Sequence, residues 1–144
     1  MMTNFEFATD SATMCVYDLE RLKHRLTDDP DWWSIASDEL SEVNLGNAVF
    51  LNLGDDGIYG VEIVSELPNA FVNVNFVVSS GKVFAGSADE VTSDGLEPEG
   101  LRGIFITLDP GNYRLSARRD GNKVSLAINS TLQHGNSFAN LVRI

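Results

Sequence analysis

Apolar positions follow two textures along the chain. Between Leu19 and Leu26 they fall at helical spacing; from Asn47 onward they form short β runs punctuated by turn residues, the spacing of an all-β sandwich or barrel. Ser11 to Tyr17 is rich in β-compatible residues (Thr13, Cys15, Val16, Tyr17) and predicts a strand. Asp18 then offers a helix N-cap. Leu19, Leu22 and Leu26 form one stripe, with Glu20, Arg21, Lys23 and Arg25 on the outside, so a short helix should pack on a sheet. Asp28-Asp29-Pro30-Asp31-Trp32-Trp33 reads as a second helix start, because proline is tolerated at the first helical position and acids favour the positive end of the helix dipole.

In the second texture, Asn47–Leu53 and Ile58–Val64 flank Gly54-Asp55-Asp56-Gly57, whose glycines suit a hairpin connection. Phe71–Ser79 alternates, with Val72, Val74, Phe76 and Val78 on one side, and Ser80-Gly81 leads into Lys82–Ala85. Gly86 to Gly100 carries no comparable apolar run and is expected as a long loop. Leu101–Leu108, Tyr113–Arg118 and Lys123–Asn129, joined by Asp109-Pro110-Gly111-Asn112 and Asp120-Gly121, predict a β-meander. Phe138, Leu141, Val142 and Ile144 should close the sheet. The expected fold is mainly β: a single domain over residues 1–144, an antiparallel β-sandwich or flattened barrel of about seven to nine strands with one or two short N-terminal helices. Its core should hold Val16, Leu22, Leu26, Val49, Leu51, Val61, Ile63, Val72, Val74, Phe76, Val78, Ile104, Ile106, Tyr113, Leu115, Val124, Leu126 and Ile128.

Composition fits a soluble globular domain: 144 residues, 43% hydrophobic, mean hydropathy −0.06. Charge changes the picture more. The formal net charge is −11, a field that repels phosphate backbones and anionic lipids and favours basic partners, so neither nucleic acid nor membrane is expected as a partner. The single cysteine, Cys15, cannot form an internal disulfide, and Met1 to Asp10 has neither the basic residues nor the apolar run of a signal peptide; a cytoplasmic location is expected.

The excess is segregated. Residues 26–101 contain fifteen acids and only Lys82 as a base, whereas residues 102–144 contain six bases and two acids. The acids cluster as Asp28, Asp29 and Asp31; Asp55 with Asp56; and Asp89, Glu90, Asp94, Glu97 and Glu99. On the basic side, a turn at Asp120-Gly121 would set Arg118 opposite Lys123, an unfavourable pair that calls for a nearby carboxylate.

Candidate chemistry is sparse. His24 and His134 have no Cys or His at ligand spacing, and no Ser or Cys lies in a nucleophile motif that His134 could serve, so no metal, cofactor or catalytic residue is expected. Cys15, in an apolar strand, reads as a small buried residue. Gly54-Asp55-Asp56-Gly57 lacks the alternating ligands of a calcium loop. Trp32-Trp33 suits either a core end or an interface anchor.

Ala12-Thr13-Met14-Cys15-Val16-Tyr17-Asp18, Asp31-Trp32-Trp33-Ser34 and Leu53-Gly54-Asp55-Asp56-Gly57-Ile58-Tyr59 resemble segments of small, acidic, uncharacterised bacterial proteins of the toxin-immunity type. The resemblance runs from about residue 8 to the end and carries no catalytic residues. With the acidic charge, it implies a non-enzymatic immunity-type protein that neutralises a basic toxin or effector. The expected binding residues are Asp55, Asp56, Asp89, Glu90, Asp94, Glu97 and Glu99, with Trp32 and Trp33 as anchors. Two other readings fit the same residues: a β-sandwich carbohydrate binder or carboxylate-dependent enzyme, and a homo-oligomeric adaptor joined through a sheet edge.

Overall fold

A computed structural model describes residues 3–144 and arranges nine strands in two sheets. The strands are β1 (Thr3–Thr9), β2 (Thr13–Asp18), β3 (Val49–Asn52), β4 (Gly57–Val64), β5 (Val72–Val78), β6 (Lys82–Ser87), β7 (Gly103–Thr107), β8 (Gly111–Asp120) and β9 (Lys123–Ser130). One α-helix among the described residues, α1 (Ala36–Leu45), and 3₁₀ turns at Leu19–Arg25 and Trp32–Ser34 lie between β2 and β3, and a further 3₁₀ turn, Ala88–Glu90, follows β6. The sheet orders are β1-β4-β9-β8-β5 and β3-β2-β6-β7, so the expected sandwich forms and neither sheet closes into a barrel. Every strand pair is antiparallel except β4–β9, which runs parallel from Gly60 opposite Lys123 to Val64 opposite Ala127.

The core follows the period-2 alternation that the sequence shows. Tyr59, Val61 and Ile63 of β4, Val74, Phe76 and Val78 of β5, Leu115 and Ala117 of β8, and Val124 and Leu126 of β9 are buried against Met14, Val16, Val49, Leu51, Val83, Ala85 and Ile106 of the smaller sheet. Of the expected core, Leu26, Val72, Ile104, Tyr113 and Ile128 are only partly buried. Cys15 is fully enclosed, and burial, aided by the charges of Glu90 and Asp89, pushes its thiol well above the ordinary range.

Three connections differ from the expected ones. Residues 47–64 do not form a hairpin: β3 pairs with β2, β4 pairs with β1 and β9, and the glycine-flanked link carries the chain from one sheet to the other. Residues 101–129 do not form a meander, because β7 pairs with β6 in the four-stranded sheet and only β8–β9 is a hairpin. Turn residues mark where a chain reverses; they do not say whether it returns to the same sheet or to the facing one. Finally, the β8–β9 turn is Gly121-Asn122, one residue later than expected, with Gly121 at φ +56° and Asp120 opposite Lys123. That register removes the like-charge pair: Arg118 faces Ser125 and sits 3.6 Å from Asp120, while Lys123 pairs with Glu62 at 3.4 Å.

The β5–β6 link also crosses the sandwich, and a buried carboxylate fixes it. Asp18 accepts hydrogen bonds from Ser79 N (3.0 Å), Ser80 N (2.9 Å), Gly81 N (2.9 Å) and Ser80 Oγ (2.8 Å), and it caps the following turn through Glu20 N (2.9 Å). The expected helix cap at Asp18 is thus present, with a second duty added.

The segment after β9 seals two sheet edges. Asn136 Nδ2 donates to Asn75 O (2.8 Å), and its Oδ1 accepts from Asn75 N (2.9 Å), on the outer edge of β5; Val77 N there donates to Gly46 O (2.9 Å). On β3, Asn52 N donates to Val142 O (2.9 Å) and Ile144 N to Asn52 O (3.1 Å), so the last apolar segment does close a sheet. Among the described residues no helix is long and apolar enough to cross a membrane.

Candidate functional site

The four-stranded sheet is buried on both faces. Its outward face presents Cys15, Tyr17, Phe50, Phe84 and Phe105, and a third layer built from residues 19–45 and 88–102 covers them. Trp32 meets Phe50 edge-on with centroids 6.2 Å apart, Trp33 stacks on Phe50 at 6.4 Å, and Phe84 packs between Tyr17 (6.3 Å) and Phe105 (5.6 Å). Trp32 Nε1 donates to Thr92 O at 2.7 Å, which pins the helical part of the layer to its loop part. The tryptophans are therefore the inner wall of the layer: Trp32 is 3% and Trp33 8% exposed, too buried to serve as surface anchors.

This layer carries most of the net charge. Residues 19–45 and 88–102 hold twelve acids and four bases. At its centre Glu42 of α1 is buried yet ionised in a cage of donors. Arg25 Nε and His24 Nε2 lie 2.7 Å from its Oε2, and Asn47 Nδ2 donates to Oε1 at 2.9 Å. Burial pushes this carboxyl up, but the hydrogen bonds from Asn47, Arg25 and His24 outweigh it and hold the group below the usual range. Glu39, one helical turn earlier, receives only Asn52 Nδ2 (3.1 Å), and burial leaves its carboxyl raised. Arg25 also reaches Asp28 (3.1 Å) and Asp38 (3.5 Å) and lies over the Trp32 ring at 4.5 Å, so one guanidinium ties the acids of the 3₁₀ turns to those of α1.

Above that cage is a cleft of about 580 Å³ lined by Asp28, Asp29, Asp31 and Asp38 together with Trp32 and the exposed Ile35. The 88–102 loop is tied to its border by main-chain bonds: Asp94 N donates to Asp28 O at 3.1 Å, and Gly95 N donates to Leu26 O. This contact exists because Ser93-Asp94-Gly95-Leu96 is a tight turn, with Asp94 at φ +52°, Gly95 at φ +80° and Thr92 Oγ1 bonded to Leu96 O at 2.7 Å.

The remaining expected binding residues divide into two groups. Asp94, Glu97 and Glu99 are exposed on the layer, and Asp55 and Asp56 are exposed on the β3–β4 link, where Tyr59 Oη donates to Asp55 O (2.6 Å). Asp89 and Glu90 serve the fold. Asp89 accepts from Asp10 N (2.7 Å) and pairs with Arg102 (2.7 Å); burial raises its carboxyl, and the bonds from Ser11, Asp10 and Ser87 with the Arg102 charge bring it below the ordinary value. Glu90 fills a cradle of four successive main-chain N–H groups: Glu99, Gly100 and Leu101 donate to Oε1 at 3.0–3.2 Å, and Arg102 N donates to Oε2 at 2.5 Å. The cleft acids Asp28, Asp29, Asp31 and Asp38 lay outside the expected site. The first three were visible as a charge cluster, but nothing in the sequence pattern signals that they meet the 88–102 loop.

Histidines and cysteine add no second site. His24 leans on Glu42, His134 sits in the exposed 133–138 segment, and among the described residues no three His, Cys, Asp or Glu side chains are grouped to hold a metal ion.

The chain belongs to a family of unknown function, DUF6386, which it matches over residues 1–144. A solved structure, crocagin biosynthetic gene J, is similar with a TM-score of 0.58 and 19% identity over 90% of this chain and 97% of that one, a likeness that shows the fold alone. No curated protein matches the chain.

Proposed function

We propose that this chain is a non-enzymatic binding protein whose acidic covering layer docks on a basic protein, in the manner of an immunity protein that masks a toxin or effector. The observation that carries the reading is the cleft in which Asp28, Asp29, Asp31 and Asp38 surround Trp32 and Ile35, with Asp94 hydrogen-bonded at its border. Carboxylates beside an apolar wall suit the charged head and aliphatic stem of a lysine or arginine, and a layer of one sign speeds encounter as well as selecting the partner. The aromatic wall beneath holds the carboxylates on a rigid support, which lowers the entropic cost of docking.

The partner is to be captured from lysate, identified, and its association rate measured at low and high salt. Asp29→Asn with Asp31→Asn should slow association at low salt by about tenfold, and the difference should shrink in concentrated salt, where the Debye length falls to ~3 Å. Asp55→Asn with Asp56→Asn, on the β3–β4 link, should change it less. An unchanged rate for the cleft pair at low salt would show that the acids are solvated surface and nothing more.

A further inference from the structure

Strand β7 is the outermost strand of the four-stranded sheet and pairs only with β6. Leu108 N donates to Gly81 O (3.1 Å) and Ser87 N to Arg102 O (2.8 Å), which fixes the parity of the ladder. Ile104 and Ile106 turn their main chain toward β6; Gly103, Phe105 and Thr107 turn theirs to the open side. Two other sheet edges are sealed by residues 135–144, but nothing in the described chain pairs with this one. Its sequence, Gly-Ile-Phe-Ile-Thr, has no charge and no proline, and its register with β6 runs without a bulge. Those are the devices by which edge strands normally repel an added strand.

At the C-terminal end of this edge the two sheets part. A crevice of about 190 Å³ opens there, walled by Ile63, Ile106, Leu108 and Ile128, with the exposed Ser65 and Asn129 at its rim. A strand laid along β7 would alternate its side chains between the inner side of the sandwich, entering the crevice beside Ile106, and the covering layer. On the layer side it would meet the loop carrying Glu97 and Glu99, which reaches β7 where Gly100 abuts the Phe105 ring. A second copy of this chain would bring another −11 to that place and is disfavoured.

We propose that the open β7 edge and the adjoining crevice are one docking site for an extended segment of a partner protein, added as a fifth strand, with apolar residues toward the crevice and lysine or arginine on the alternate positions. The charge of the occupant rests on the acidic-layer reading; the edge and the crevice do not.

The probe is a seven-residue peptide alternating valine and lysine, with a valine–glutamate peptide as control. In the free protein the amides of Gly103, Phe105 and Thr107 should exchange with solvent much faster than those of Ile104 and Ile106, and the basic peptide should protect them. Thr107→Pro removes one outward donor without touching a β6 bond, and Ser65→Trp plugs the crevice mouth from the bend that follows β4. Each should weaken binding about tenfold. Retention of binding by both variants, or binding without protection of the three amides, overturns the β7 site while leaving the acidic-layer reading standing. Equal protection by the glutamate peptide overturns the basic occupant, and concentration-dependent protection without any peptide makes a second copy the occupant instead.

Discussion

The two sheets share a core, yet their outer faces are opposites. The five-stranded sheet turns a bare polar face to solvent: Ser116 Oγ bonds Asn73 Oδ1 (2.6 Å), Arg114 reaches Gln133 (3.1 Å), and Lys123 and Arg118 are neutralised by Glu62 and Asp120. The four-stranded sheet keeps aromatic rings on its outer face and must be covered. The cover is assembled from the most acidic stretches of the chain. One face is thus locally neutral and self-sufficient. The other is a laminate, apolar within and anionic without, which explains how a chain of net charge −11 concentrates its field on one side.

The contrast is broken most severely by removing the inner wall of the cover. Trp32→Ala deletes the ring between Phe50 and Arg25 and the bond to Thr92 O, and should cost about 3–5 kcal/mol in urea unfolding. Next is the buried cage. Glu42→Gln leaves Arg25 facing a neutral side chain and should cost about 3 kcal/mol at pH 7. Because the folded carboxyl of Glu42 lies below its unfolded value, its stabilisation is fully present above the unfolded value and is lost as pH falls through the folded one. The variant should therefore show a shallower acid limb in a stability–pH series. Glu39 has the opposite sign: its raised carboxyl penalises the fold at neutral pH, a penalty relieved as pH falls, so Glu39→Gln should stabilise slightly at pH 7 and lose that advantage in acid. On the bare face, Ser116→Ala should shift stability by no more than about 0.5 kcal/mol, and a large loss there would mean that this face is covered as well.

The sandwich was legible where alternation is long. The strands around Val74–Phe76, Leu115–Ala117 and Val124–Leu126 lie where their apolar period places them. Strand β1 is carried by only two inward apolar residues, Phe5 and Phe7, too few to stand out beside the acidic turn that follows. Helix α1 is silent for a different reason: its buried face is Glu39, Glu42 and Val43, so two of three core-facing positions are carboxylates and no apolar stripe exists to be read. The same chemistry hid the centre of the site. A glutamate counts as surface in any sequence pattern until Arg25, His24 and Asn47 are brought around it by chain segments up to eighteen residues away. The acidic loops were legible as charge, but their division into structural carboxylates, such as Glu90, and free ones depends on the cradle that residues 99–102 form.

The parallel β4–β9 pair has a consequence for how the chain is made. Gly60 has its neighbour in Lys123, so the middle of the five-stranded sheet cannot zip until the synthesis machinery has delivered β9, and the edges of β3 and β5 stay open until residues 135–144 follow. A nascent chain halted before residue 123 would hold β1–β4 and β5–β8 as two separate ribbons beside a completed β3-β2-β6-β7 sheet, with apolar inner faces uncovered. Assembly of the sandwich thus waits for β9 and the segment after it, whatever the order in which the earlier strands pair.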